Sequence, residues 1–544
     1  MKTMRKTLAL LIVVVMIAAM LPGALAATVT VPSDGILQNH TFTAYQIFAG
    51  DEANGVLSNI VWGSGVDGTA LLTALKADTT HGNLFSACTE ADDVATVLSS
   101  SASDTTLVNW FIKQANTNKT ATGTTLNAGA NTLDTGYYLF VDTSTTVDSG
   151  SAYNASLLQV VGNITIKAKT DAPTVEKKVR EDDQYNKNDG YGSGYNDVAD
   201  YSMGESVPFH LIGLVPDMTQ FDTYKYIFHD TLSAGLTPPA DSSIKVYLSN
   251  DKAVGDDTDV TGSFSCTING QNITVSCENL KSIQNIAKGM YIIVKYTAVL
   301  NENAVIGLNG NPNTVKLEYS NKPDQSGSGD TNNTGYTPED KVIVFTYQLN
   351  TTKIDGATAE SENGPTKLKD AKFVLLNSDA SKVAKISNGK FANWQDLPTA
   401  GTDGKISVES WPSDSVLISA ETTGLFSVAG LDDGTYKLRE IVAPQGYNLL
   451  SEDVVVVIDA NTANGQAWNG TASDALTGLN VTAGGKAGTG DTSGIASITI
   501  ANNSGATLPT TGGMGTTLFY VLGSVLVIGA VVLLVSKKRM NAAE

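Results

Sequence analysis

Helical periodicity, histidine, cysteine and aromatic residues are all scarce in this chain, and each shortage closes off functions. Four His and three Cys in 544 residues give little material for catalysis, and no spacing of the metal-binding kind links them. A stretch at Asn186–Gly190 opens like a calcium loop, but the glutamate that would close it is missing from the required place, so it reads as a polar loop. No Ser-His-Asp set, phosphate-cradling loop or pair of catalytic carboxylates stands out, which disfavours an enzyme and leaves no metal or cofactor expected. Basic residues are a minority too: 35 Lys and Arg stand against 55 Asp and Glu, a balance that argues against nucleic acid as a partner.

What the chain does have is concentrated at its ends. Lys2, Arg5 and Lys6 precede the apolar run Leu8–Leu21 and then Ala24-Leu25-Ala26, the layout of a secretory signal peptide with cleavage expected after Ala26. At the other end, an apolar run from Leu518 to Val535 is long enough to cross a bilayer as a helix. Lys537-Lys538-Arg539 behind it favours the cytoplasmic side. Just outside that span stands Leu508-Pro509-Thr510-Thr511-Gly512. Removing residues 1–26 and everything past Thr511 takes away six basic residues and Glu544, so the formal net charge moves from −20 to −25. A long acidic chain rich in Thr, Ser, Asn and Gly suits a solvated extracellular rod.

The roughly 485 residues between the ends divide by usual domain size into three units. Short helices are expected only in the first, over Leu71–Leu75 and over Ala91–Leu98 continuing to Val108–Ala115. Alternating strands recur elsewhere, among them Thr41–Phe48, Tyr291–Val299, Val315–Tyr319, Lys341–Leu349, Val454–Ile458 and Ile495–Ile500. The fold class is therefore mainly β, a tandem of immunoglobulin-like β-sandwiches. Breaks fall near Lys169–Pro173 and across the Gly, Ser, Asp, Asn and Pro tract Asn321–Pro338. The expected layout is a signal peptide over 1–26, a first unit over 27–170, a middle sandwich over 171–325 and a linker over 326–337. A third unit over 338–506, the pentapeptide at 508–512, a membrane helix over 517–535 and a basic tail over 536–544 follow. Cys88 stands alone, while Cys266 and Cys277 flank Asn269-Gly270, a hairpin signal. A bridge between them is geometrically possible in an oxidising exterior, and two buried thiols are the alternative.

The pentapeptide, apolar span and basic tail, in that order, resemble the wall-sorting signal of Gram-positive surface proteins. That resemblance implies recognition by the transpeptidase sortase and cleavage between Thr511 and Gly512. Ala172–Val179, Met203–Phe209, Ile227–Leu236 and Asn313–Asn321 resemble the middle domain of sortase-assembled backbone pilins. In that family a first-strand lysine and a last-strand asparagine form an amide inside the domain, helped by a carboxylic acid, which implies Lys177, Asn321 and Asp230 here. Alternation puts Val175, Lys177 and Val179 on one face, so Lys177 rather than Lys178 is expected in the core. Tyr436–Tyr447 resembles the E-box of collagen-adhesin B-type domains, with Ile441 where the pattern usually has Thr. Leu349–Gly356, Leu368–Leu375 and Ser497–Asn502 resemble the same family's opening and closing strands. This implies Lys353, Asn502 and Glu440 as nucleophile, acceptor and acid, with Ile498, Ile500 and Asn502 sharing a face.

The chemistry so implied requires burial. An exposed ammonium cannot attack an amide, but apolar surroundings disfavour charge and so lower a lysine pKa and raise a carboxylic acid's. The neutral acid then polarises the amide carbonyl and carries a proton to the departing ammonia, with no cofactor. The first unit closes on a strand whose Ile164, Ile166 and Ala168 share one face and whose Thr165, Lys167 and Lys169 share the other. Backbone pilins carry at this position a Tyr-Pro-Lys motif whose lysine accepts the next subunit's threonine. Here the triplet is Lys167-Ala168-Lys169, pointing to Lys169, with Lys167 as the alternative. No lysine lies between Ala27 and Leu75, so the first unit has no first-strand nucleophile.

The implied function is a structural backbone subunit of a covalently polymerised pilus. Its partners would be further copies of itself, pilin-specific and housekeeping sortases, peptidoglycan, tip or basal pilins and host surface ligands. The alternative is a monomeric wall-anchored adhesin or minor pilin that binds a host protein or glycan.

Overall fold

The computed structural model describes residues 26–33, 37, 39–153, 155–166, 172–182, 190–219, 221–253, 257–322, 334–463, 468–505 and 515–540. Residues 1–25, Lys167, Lys169, most of Asn186–Gly190 and the pentapeptide 508–512 lie outside the described residues.

In the first unit the strand Ala27–Val31 sends its valines inward and its threonines outward. It pairs antiparallel with Gly129–Leu133 and parallel with Ile164–Thr165. A second sheet is built on Phe42–Ala53, which lies between Val56–Trp62 and Gly136–Asp142. Between these strands run the helices Gly68–Ala77, Gly82–Phe85, Ala91–Ser100 and Thr105–Thr117. Asp67 and Asp104 accept backbone N–H groups at the starts of the first and last of these. Leu71, Leu75, Val94, Leu107 and Phe111 then pack on Ile47 and Phe48. The Asp104 cap is why the apolar pattern from Ala91 to Ala115 makes two helices.

The middle sandwich packs two sheets around one core. One contains Val175–Arg180, Ser206–Leu214, Tyr291–Leu300 and Lys245–Ser249 in that order, and the other Asp340–Phe345, Asn311–Ser320, Tyr226–Leu232 and Asn272–Cys277. The third unit is one rolled sheet of twelve strands, in which Tyr347–Asp355 lies between Leu425–Leu431 and Ile495–Asn502. It runs parallel to the latter, with Lys353 opposite Ile500.

Two expected boundaries are corrected. The pattern Lys341–Leu349, read as one strand of the third unit, is broken at Thr346, which is buried and donates its hydroxyl to Leu431 O at 3.1 Å. Asp340–Phe345 pairs with Asn311–Ser320 of the middle sandwich. Val342 and Val344 enter the middle core while Ile343 and Phe345 enter the third. The strand therefore serves both cores, and the third unit's own sheet opens at Tyr347. The expected linker likewise contains a strand, Thr334–Tyr336, paired with Glu318–Ser320.

Past the third unit, the helix Gly515–Met540 includes an apolar span Tyr520–Lys538 of mean hydropathy 2.2, long enough to cross a membrane.

Candidate functional site

Among the described residues two clusters of lysine, acid and asparagine are buried, one in the middle unit and one in the third. In the third unit, Lys353 and Asn502 come from the neighbouring parallel strands Tyr347–Asp355 and Ile495–Asn502, and Glu440 comes from Gly434–Val442. All three are buried. Lys353 Nζ donates to Asn502 Oδ1 and, at 3.1 Å, to Ile500 O. Glu440 Oε1 lies 3.9 Å from Nζ. Asn502 Nδ2 donates to Glu440 Oε1 and Oε2 at 3.0 and 2.9 Å and to Asn448 O at 2.8 Å. The carboxylate is steadied by Leu450 N–H at 2.9 Å. Burial lowers the Lys353 pKa to about 8, against the opposing pull of the Glu440 charge. The amine thus faces the amide oxygen, with a carboxylate on the amide nitrogen.

The middle cluster is assembled across the sandwich. Lys177 and Tyr296 project from one sheet, Asp230 and Asn313 from the other, and all four are buried. Lys177 Nζ donates to Asp230 Oδ1 at 2.5 Å and to the Tyr296 hydroxyl at 3.2 Å. Tyr296 donates to Asp230 Oδ2, and Asn313 Nδ2 donates to the Tyr296 oxygen at 2.7 Å. Nζ and Nδ2, at 3.2 and 2.7 Å from one oxygen, are therefore no more than 5.9 Å apart. The ammonium also lies 5.4 and 5.6 Å from the Phe209 and Tyr296 ring centres. Burial lowers the Lys177 pKa, with the Asp230 charge opposing it. Asn313 Oδ1 is buried without a hydrogen-bond partner.

Asn321, the expected acceptor, does not join this cluster. It has the same strand parity as Asn313 but lies eight residues on, roughly 27 Å of extended chain. There its carbonyl accepts the N–H of Tyr153 at 2.8 Å. Asp230 pairs with Val315, which places Asn313 rather than Asn321 at the lysine. Alternation alone cannot separate the two, and nothing in the strand Tyr291–Leu300 marks Tyr296 as special. Lys178 is also buried, against the expectation that only its neighbour is. It pairs with Asp197 at 2.5 Å, and Asp197 in turn accepts the N–H of Trp468 from the third unit at 3.2 Å.

Cys266 and Cys277 are free thiols. Cys266 faces Val275, so the two cysteines are diagonal neighbours, which lie about 7–8 Å apart, beyond the Cα separation a disulfide spans. In the first unit His40 Nδ1 lies 2.5 Å from Asp142 Oδ2 and Nε2 lies 3.0 Å from Ser151 Oγ. This Ser, His and Asp grouping, invisible in the sequence, is buried throughout. Tyr319 of the middle sandwich donates to Ser151 O at 2.8 Å, so the group sits at the joint between units. Two acid triplets, Asp182–Glu205–Asp432 and Asp200–Asp432–Asp433, gather where the middle and third units meet. Burial raises the Asp432 and Glu205 pKa values, and Tyr347 donates to Asp200 Oδ2 at 2.7 Å.

Residues 203–323 match the family model of the Gram-positive pilin backbone subunit 2, Cna-B-like domain, 348–471 a prealbumin-like fold domain, and 500–541 the LPXTG cell wall anchor motif. The chain is 24% identical over 363 residues to the trypsin-resistant surface T6 protein of Streptococcus pyogenes serotype M6. That alignment takes in 62% of this chain and 65% of the relative, less than two thirds of its length. Among solved structures, the T6 backbone pilin of the same serotype has 18% identity and a TM-score of 0.49, covering 88% of this chain and 99% of that one. The major pilin SpaD of Corynebacterium diphtheriae has 14% identity and a TM-score of 0.43, covering 88% and 97%.

Proposed function

We infer that this chain is a sortase-assembled backbone pilin of the Gram-positive type, held in the membrane as a precursor by its C-terminal helix and displayed at the cell wall. Its role is structural. In the finer reading, Thr511 is transferred by sortase to Lys169, or to Lys167, of a neighbouring copy. The finished polymer is joined to peptidoglycan, and tip or basal pilins complete it. Two internal amides, Lys177–Asn313 and Lys353–Asn502, brace the shaft, formed with Asp230 and Glu440 as the acids.

The observation that carries this reading is the pair of buried clusters, each joining the opening strand of a sandwich to a strand near its close. An amide there gives tension a covalent route across each sandwich without unravelling strands. Among the described residues the first unit has no buried lysine, which suits a unit beside the load path when the neighbour attaches at its C-terminal end.

A denaturing gel of wall extracts tests the polymer. A covalent ladder is expected, and it should collapse to one wall-linked band in Lys169→Ala. Loss in Lys167→Ala alone would move the acceptor, and a single band from the unaltered chain would favour the monomeric adhesin.

A further inference from the structure

We propose that Tyr296 is a catalytic residue for the middle-domain amide, the relay that carries a proton from Asp230 to the departing nitrogen of Asn313. This rests on the Lys177–Asn313 reading above.

The two clusters differ in what the acid touches. Glu440 holds Asn502 Nδ2 directly with both oxygens, so it can protonate the leaving nitrogen itself. Asp230 instead spends Oδ1 on the lysine and Oδ2 on the Tyr296 hydroxyl. The contact to Asn313 Nδ2 is made by that hydroxyl, at 2.7 Å. Among the described residues, Tyr296 is thus the only group shown to touch the amine, the acid and the amide nitrogen together. It is buried, and its ring stacks on Phe209 at 5.4 Å, which fixes where the oxygen sits.

The step balances. The Lys177 ammonium gives one proton to the Tyr296 oxygen as the phenol proton passes to Asp230 Oδ2, leaving a neutral amine and a neutral acid. With that proton on Oδ2, Asp230 becomes the donor to Tyr296, and the phenol hydrogen turns to Nδ2. Nζ attacks Cγ of Asn313, the new C–N bond forms, and negative charge passes to Oδ1. The phenol proton then moves to Nδ2 while the phenol oxygen takes the proton of Asp230. The old C–N bond breaks, Nδ2 leaves with its electron pair as ammonia, and Asp230 Oδ1 takes a proton from Nζ. Of the three protons first on Nζ and two on Nδ2, one ends on the amide nitrogen, three on ammonia and one on Asp230. No oxidant or metal is consumed, and Tyr296 ends as it began.

The test follows ammonia loss, about 17 Da per bond, by intact and peptide mass in the whole ectodomain, recovered unfolded before either amide has closed and then allowed to fold. Tyr296→Phe keeps the ring and removes only the hydroxyl. It should close the third-domain amide at the normal rate and the middle-domain amide about a hundredfold more slowly or worse, the usual size of a general acid–base contribution. Closure of the middle amide at the unaltered rate would overturn the proposal. Replacing Tyr296 by 3-fluorotyrosine fills the same space with a more acidic hydroxyl and guards against a folding defect. It should speed closure, and an unchanged rate would count against the relay. If the unaltered chain itself never loses the middle-domain ammonia, the amide reading fails, not the part given to Tyr296.

Discussion

In the middle sandwich the acid touches the amine, and in the third it touches the amide. Lys177 and Asp230 meet at 2.5 Å from opposite sheets, whereas Lys353 and Asn502 sit on adjacent strands, with Glu440 3.9 Å from the amine. What the two share is the burial of the lysine, whose charged form is disfavoured in both. On the proposed reading, the difference teaches that burial of the nucleophile is the common requirement. The acid can sit on either side of the reacting pair as long as a hydrogen-bonded path reaches the leaving nitrogen.

The largest effect should come from cutting either clamp. Each amide would close a loop of about 140–150 residues. By the chain-entropy reasoning used for disulfides, it would stabilise its domain by roughly 5 kcal/mol through the unfolded state. Asn313→Ala and Asn502→Ala should each lower the melting transition of their own sandwich, and by similar amounts, because the entropy of a closed loop grows only with the logarithm of its length. For domains of this size the fall should be about 10–20 °C. Scanning calorimetry of the two variants checks it, and a fall in one domain alone would break the equivalence of the two sites.

A smaller effect separates the sites by pH. The reactive state keeps one proton within each lysine and acid pair, on the acid when the amine is free. Above the Lys353 pKa of about 8 the pair loses that proton to solvent, and with it the proton the departing nitrogen needs. Closure of the third-domain amide, timed as the still-open chain is first folded, should therefore be level below about pH 7.5 and fall roughly tenfold per unit above pH 8. Rates read by mass over pH 6–10 check it. A rate that climbs through pH 8 would mean that the amine alone limits the reaction and that Glu440 gives no proton.

Much of the third site was legible in the sequence because three independent signals coincide there. The stretch around Glu440, the opening strand around Lys353 and the parity of Ile498, Ile500 and Asn502 all single out residues that the fold brings together. The middle site was half legible. Lys177 and Asp230 follow from alternation and from the stretch around Ile227–Leu236, but Asn313 and Asn321 share a parity. Only the register of Asn311–Ser320 against Tyr226–Leu232 chooses between them. Tyr296 lies one strand beyond the neighbour of Lys177 in its sheet, a proximity that no local pattern records. The boundary at Pro338 failed for a related reason: a strand whose two faces enter different cores reads as an unbroken apolar run. The helices of the first unit are visible as periods, although the apolar period does not mark the cap at Asp104 that divides them.

The most direct test of the account is the intact mass of the purified ectodomain together with Asn313→Ala and Asn321→Ala. The unaltered chain should be lighter than its sequence mass by two ammonia molecules, about 34 Da. Asn313→Ala should lose only one, and Asn321→Ala should still lose both. An unaltered chain at its full sequence mass, or an Asn321→Ala chain that keeps one ammonia while Asn313→Ala loses two, would contradict it.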